Sequence, residues 1–330
     1  MTETNAAILL RRRPGLLPEP DDFELVIQPV PQPAEGEVLV RAHWLSLDPY
    51  MRGRMSAAPS YAKPVAIGAV MEARTVGQVL AARDPRYAPG DWVMGGYGWQ
   101  THSCVPASHL VRLDPNEAPV QTALGILGMP GLTAYVGLAD IGQPKAGETV
   151  VVSAASGAVG AVVGQLAKQA GCRVVGIAGG AEKCRYVTDD LGFDACIDHK
   201  GALNAGLDAH CAQGIDVYWE NVGGAVQAAV FPRLNNFARM VMCGMVAEYN
   251  QMPHAGPSLM SAVRKRLRIQ GFIVSDSWNR FPEWRALAAP MVKDGRLKYR
   301  EDVVDGLANA PAAFIGLLQG RNFGKLLVRL

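Results

Sequence analysis

The stretch "TVVVSAASGAVGAVVGQLAKQAGCRVVGIAGGAEK", residues 149–183, decides the fold. Its two outer segments are short, apolar and rich in β-branched residues, as strands buried on both faces are. Between them comes a run of small residues. A segment follows in which Val159, Val163, Leu166 and Ala170 recur at the spacing of one helical face. Strand, tight turn, helix and second strand make one βαβ unit. Within the turn, Ala155-x-Gly157-x-x-Gly160 stands where a phosphate-binding glycine pattern would stand. A small residue at 155 permits the turn, Gly157 lets backbone approach a pyrophosphate, and Gly160 lets helix and strand close together. The helix N-terminus then offers unpaired N–H groups and a partial positive charge to an anion.

A dinucleotide with an unmodified ribose needs an acidic residue about 20 positions further on, to hold the 2′-hydroxyl. Here the second strand runs into Gly179, Gly180, Ala181, Glu182 and Lys183, so a cation stands where the carboxylate belongs. Lys183 is the first candidate for a 2′-phosphate and Arg185 the reserve. Glu182 turned inward would favour NAD instead, and a surface lysine without a role is the plain alternative. NADP(H) is the cofactor expected.

Working outward, strands and helices keep alternating. "AEKCRYVTDDLG" reads as a helix, and "ACIDH", "IDVYWENVG", "ARMVMCGMV" and "LRIQGFIV" read as further strands. Such alternation gives an α/β, doubly wound parallel sheet over residues 121–295. Residues 1–120 differ in texture, with short β-like runs such as "GEVLVRAHWLSLDP" and "TVGQVLAAR" set between Gly- and Pro-rich turns, the pattern of a mainly β domain. Residues 296–330 hold a helical "PAAFIGLLQG" and a strand, "GKLLVRL", expected to return to that first domain.

Composition narrows the function classes. Lys and Arg number 32 against 30 Asp and Glu, so the basic run "RKRLR" at 264–268 reads as a solvated face and not as a nucleic-acid patch. Residues 118–139 and 149–167 lack charge, but proline and glycine interrupt the first and serine and glycine the second, against the membrane reading. The opening "MTETNAAILLRRRPG" has too short an apolar run for a signal peptide. Six scattered cysteines without a C-x-x-C pair point to reduced thiols and a cytoplasmic protein, and no histidine pair has metal-site spacing.

The chain resembles the medium-chain dehydrogenase/reductase superfamily, in its zinc-independent branch of prostaglandin reductases, leukotriene hydroxydehydrogenases and alkenal double-bond reductases. "SLDPYMR" (46–52), "GDWVMG" (90–95), "LGMPGLTAY" (127–135), "AASGAVGAVVGQLAK" (154–168), "ENVGG" (220–224), "CGMVAEYN" (243–250) and "NFGK" (322–325) carry the resemblance. It implies a GroES-like catalytic domain interrupted by a Rossmann domain, a cleft between them as active site, and a homodimer. It also implies cofactor contacts at Ala158, Val159 and Gly160 for the pyrophosphate and at Lys183 for the 2′-phosphate. His199 stands where the family often has tyrosine, at an adenosine-side contact. Asn221, Cys243, Gly244, Met245, Tyr249, Phe272, Ile273, Val274 and Asn322 would surround the ribose and nicotinamide. The zinc-dependent cousins need a cysteine ligand and a Gly-His-Glu stretch where this chain reads "SLDPY" and "GAVMEA", so no metal is expected.

The reaction so implied is reduction of a C=C bond conjugated to a carbonyl, in enones and enals. A phenol, protonated at neutral pH, suits the carbonyl oxygen on which charge collects. Tyr249 follows a strand's carboxyl end, where open α/β sheets bind ligands, and is the first candidate; Tyr50 in "DPYMR" is the second. Met51, Trp44 and Trp278 are either an apolar substrate wall or core. Loops at 57–65 and 249–258 would shape the substrate site. Two other readings stay open: a quinone oxidoreductase of the same superfamily, and a catalytically silent, crystallin-like cofactor-binding protein.

Overall fold

A computed structural model of the protein describes residues 3–250 and 256–330, so part of the 249–258 loop lies outside the described residues. The chain divides into two units. One comprises Met1–Gly125, Glu301–Asn322 and Leu326–Leu330, and the other Ile126–Arg300 with Phe323–Lys325.

In the first unit, strands β1 (Thr4–Leu10) and β2 (Phe23–Pro29) pair antiparallel. β3 (Glu37–Ser46), the short helix α1 (Met51–Arg54), β4 (Thr75–Ala82), β5 (Trp92–Gly95), β6 (His102–Pro106) and β7 (Val111–Leu113) follow. β3 is the longest strand and the hub, because alternate side chains Val38, Val40 and Ala42 face a core shared with Val79, Val93 and Val105. A second core gathers around Trp99, whose ring stacks on Phe23 (5.6 Å) and meets Phe314 edge-on (5.7 Å).

The second unit opens with α2 (Met129–Gly137) and then alternates strictly. β8 (Thr149–Ser153), α3 (Gly160–Gln169), β9 (Arg173–Ala178), α4 (Ala181–Arg185), β10 (Ala195–Asp198), α5 (Leu203–His210) and β11 (Ile215–Glu220) come first. α6 (Gly224–Val230), β12 (Leu234–Met242), α7 (Met260–Lys265), β13 (Arg268–Gly271) and α8 (Phe281–Lys293) complete it. The sheet order is β10-β9-β8-β11-β12-β13, all parallel, the order of doubly wound dinucleotide-binding sheets. The order reverses between β8 and β11, which fixes where a ligand binds.

The chain then forms β14 (Glu301–Asp305), α9 (Ala310–Leu318) and β15 (Lys325–Arg329). β15 pairs antiparallel with β3, so the last strand does return to the first unit's sheet, ordered β14-β15-β3-β4-β5-β7 with β6 also on β3.

The divisions expected after residues 120 and 295 differ from those observed, for local reasons. The turn Val120–Leu124 packs on strands of the first unit. Residues 296–300 stay with the second, because Gln165 of α3 both donates to the Lys298 carbonyl (2.8 Å) and accepts its amide (2.7 Å). The apolar face expected on α3 also differs. Val163 is fully buried, but Leu166 is half-buried and Ala170 exposed, whereas Gly164, Gln165 and Ala167 are buried. The helix is covered by α2 as well as by the sheet, so its buried stripe is wider than the single face expected and turned from it. Met51, one of three residues left between substrate wall and core, is core: it opens α1 and is completely buried. Among the described residues, no helix is long and apolar enough to cross a membrane.

Candidate cofactor and active site

The turn from β8 into α3 is built as an anion cradle. Ala154 takes a left-handed conformation (φ 50°), rare for a residue with a Cβ, and its carbonyl accepts the Gly157 amide (3.0 Å). The tight turn expected at Ala155 is therefore made one residue earlier. Ala155 is small for another reason: a Cβ on Gly176 would lie 2.9 Å from its methyl. Gly160 is required, because a Cβ there would fall 2.4 Å from the Ala154 carbonyl oxygen. Among the described residues the amides of Ala158, Val159 and Gly160 have no acceptor. Three N–H groups converge on one turn at the head of a ten-residue helix, which suits a pyrophosphate.

The ends of β9 and β10 form the neighbouring pole. A Cβ on Gly179 would fall 2.8 Å from His199 Nε2, so the imidazole lies over that glycine. His199 has its pKa lowered, by burial first and by the adjacent Lys200 and Lys183 charges against the opposing pull of Asp198. The Lys183 charge on α4 is thus felt at the His199 imidazole. The Asp198 carboxylate is committed to backbone, accepting the amides of Gly180 (2.9 Å) and Lys200 (3.0 Å), which hold it below the usual carboxylate range. Glu182 and Arg185 are exposed. This pole presents cations and an imidazole, the donor set for a 2′-phosphate and not for a bare hydroxyl.

The third group stands at the carboxyl ends of β11, β12 and β13. Asn221 turns its side chain inward: Nδ2 donates to the Ser153 carbonyl (2.7 Å) and Oδ1 accepts Trp219 Nε1 (3.1 Å). Its amide donates to the Ser153 hydroxyl (2.8 Å) and its carbonyl accepts the Val246 amide (3.1 Å), so a ligand contact from Asn221 falls to the second Nδ2 proton. The amides of Cys243 and Gly244 both donate to the Glu220 carbonyl (2.9 and 3.1 Å). Burial pushes the Cys243 thiol up to about 12, so it is neutral. Met245 leads into the turn Val246–Glu248, which delivers Tyr249, and a Cβ on Gly244 would lie 3.3 Å from the Tyr249 hydroxyl. Phe272 packs edge-on against Trp219 (6.0 Å), with Ile273 and Val274 half-buried behind it.

Tyr50 and Asn322 belong to the first unit. Tyr50 precedes α1 and is half-buried; the Arg54 guanidinium lies over its ring at 5.4 Å. Burial, with a smaller contribution from Asp48, raises the phenol's pKa, so it is a proton donor at neutral pH. Asn322 is half-buried at the end of its segment. The next residue, Phe323, is clamped by Tyr186 (5.2 Å) and by the Arg300 guanidinium (3.9 Å). Trp278 stacks on Phe281 (4.7 Å).

Sequence reasoning missed Glu220, Ser153 and Tyr218, which hold the β11 turn in place. The available signal was a glutamate ending the apolar run "IDVYWE", since a buried carboxylate requires donors.

Two family models match the chain: an N-terminal domain of oxidoreductase over residues 6–113, and a zinc-binding dehydrogenase over 158–290. The chain is 50% identical to the NADPH-dependent curcumin reductase of Escherichia coli (strain K12), over 99% of this chain and 97% of that protein. It is 39% identical to the NADP(+)-dependent 2-alkenal reductase of Nicotiana tabacum, over 98% and 97%. The crystal structure of CurA from Vibrio vulnificus in complex with NADPH superposes with a TM-score of 0.94 at 48% identity, over 98% of each chain. The residues do not fit the zinc of the second model's description: among those described, no three His, Cys, Asp or Glu side chains are grouped so as to hold a metal ion. With similarity spanning almost the whole chain and this sheet order, the chain belongs to the zinc-independent branch of the medium-chain dehydrogenase/reductase superfamily.

Proposed function

We propose that the protein is an NADPH-dependent reductase of the carbon–carbon double bond of α,β-unsaturated ketones and aldehydes, working without a metal. The end-to-end similarity to a curcumin reductase and a 2-alkenal reductase carries this reading. The three acceptor-free amides and the cationic pole beside them support it.

Bound NADPH supplies the hydride. The amides of Ala158, Val159 and Gly160 hold the pyrophosphate, and Lys183 with His199 holds the 2′-phosphate. As the substrate's β-carbon gains hydride, the π-electron pair shifts and charge collects on the carbonyl oxygen; the α-carbon then takes a proton. Tyr249 donates a hydrogen bond to that oxygen, and Tyr50 is the second donor. One such donor is worth about 100- to 1,000-fold in rate.

A panel of an aliphatic enone, an enal and a benzoquinone, each with NADPH and NADH, tests the reading. Turnover of enone and enal with NADPH is expected. Turnover of quinone alone would assign the protein to the quinone oxidoreductases, and no NADPH oxidation at all would leave a silent cofactor-binding protein.

The finer reading is a cytoplasmic homodimer. Six free cysteines support a reducing compartment. The exposed edge strand β13, beside the exposed Leu259, Met260 and Val263, supports self-association.

A further inference from the structure

Glu220 ends β11 with no exposure to solvent. A buried carboxylate is tolerated only when donors surround it, and here they do. Oε1 accepts the Ser153 hydroxyl (3.0 Å) and the amides of Val222 (2.7 Å) and Gly223 (3.0 Å), while Oε2 accepts the Tyr218 hydroxyl (2.9 Å). Ser153 in turn accepts the Asn221 amide (2.8 Å). The carbonyls of the same turn then hold the next segment: Val246 donates to Asn221 (3.1 Å) and Ala247 to Val222 (2.9 Å).

Ser153 at the end of β8 is thereby tied to this side chain directly, and the segment after β12 indirectly, through the carbonyls of Glu220, Asn221 and Val222, at the point where the sheet order reverses. Gly223 and Gly224 have positive φ (76° and 53°), so the second half of the turn gains no rigidity from side chains of its own. Glu220 holds the amides of Val222 and Gly223, between the Asn221 side chain anchored on Ser153 and Trp219 and the Gly224 amide that donates to Glu248 (3.2 Å).

We propose that Glu220 is a positioning residue of the reductase: its carboxylate fixes the 221–224 turn and, through that turn's carbonyls, the segment that presents Tyr249. The kinetic half rests on Tyr249 as the donor; the structural half does not.

Glu220→Ala and Glu220→Gln test it, with amide hydrogen exchange and steady-state kinetics on the full chain. In the alanine variant, exchange in 221–224 and 243–250 should rise about tenfold or more, with α3 and β9 unchanged. kcat should fall at least about tenfold. KM for NADPH should rise by a smaller factor than kcat falls, because Lys183 and the amides of Ala158, Val159 and Gly160 make no bond to Glu220. Glutamine keeps an acceptor for the two amides and Ser153 and can donate to the Tyr218 hydroxyl, so it should restore kcat to within about threefold of the parent. Unchanged exchange in the alanine variant overturns the proposal, and so does a glutamine variant as impaired as alanine. Raised exchange with kcat retained breaks the link from Glu220 to turnover; should Tyr249→Phe also retain kcat, the failure lies in the donor assignment. If the alanine variant does not fold, Ser153→Ala and Tyr218→Phe each remove one donor, and unchanged exchange in the same segments in both overturns the proposal.

Discussion

Lys183 and Tyr249 divide the labour of the site, and each can be tested alone. Lys183 approaches His199 closely enough to depress its pKa, and the nearby Asp198 carboxylate is engaged by backbone amides. Lys183→Ala should therefore raise KM for NADPH about tenfold or more, the worth of one charge-assisted contact, while KM for NADH changes little. Equal effects on both cofactors would remove Lys183 from the 2′-phosphate. Tyr249→Phe deletes one hydroxyl and little volume. It should lower kcat on enones about 100-fold and leave NADPH affinity, read by fluorescence titration, within about twofold. Gly157, Gly160 and Lys183 could be singled out from sequence because their signals are local, set by spacing from one strand end. Glu220 could not, since its meaning comes from Ser153, 67 positions away, meeting it only once the sheet order is formed.

At the scale of elements, α3 shows where periodicity succeeds and where it stops. Its existence and start follow from the small-residue turn and the apolar recurrence. Its buried face does not, because a helix packed on two sides shows no single stripe. Packing there turns on Gly164, where a Cβ would fall 1.7 Å from the buried Phe193 ring. Gly164→Ala should thus destabilise the second unit by about 1–3 kcal/mol through overpacking, despite alanine's better helix propensity. Thermal melts followed by circular dichroism give the answer: a melting temperature at or above the parent's would mean that the ring moves aside freely. α4 is the opposite case. The helix expected over "AEKCRYVTDDLG" runs from Ala181 to Asp190, α-helical over Ala181–Arg185 and wound more widely, as a π-helix, over Tyr186–Asp190. That widening places Tyr186 against Phe323, a long-range contact that no local pattern encodes.

For the molecule as a whole, the two textures of the sequence mark two units, and the returning strand β15 closes the first. The balance of titrating groups across both units sets how stability depends on pH. His43, His102 and His199 all have lowered pKa values, chiefly from burial, so below about pH 6.5 the unfolded chain binds more protons and stability falls. Carboxylates held down by partners act in the same direction at lower pH: Arg86 holds Asp84 down to about 2, and Arg329 lowers Asp305. Their contribution, present above about pH 4, disappears as pH drops through the folded values. Glu220 opposes this, because burial raises its pKa and the folded state binds its proton more tightly. On the alkaline side, burial raises all six thiols, Cys211 to about 11 and Cys243 to about 12. Unfolded thiols lose protons near pH 8.5, while the folded ones keep theirs, so stability falls again above that value. The midpoint of the first thermal transition should therefore be highest between about pH 7 and 8 and decline on both sides. A midpoint that climbs from pH 8 to 10 would contradict the burial of the thiols, because exposed cysteines would titrate alike in both states and leave no alkaline arm.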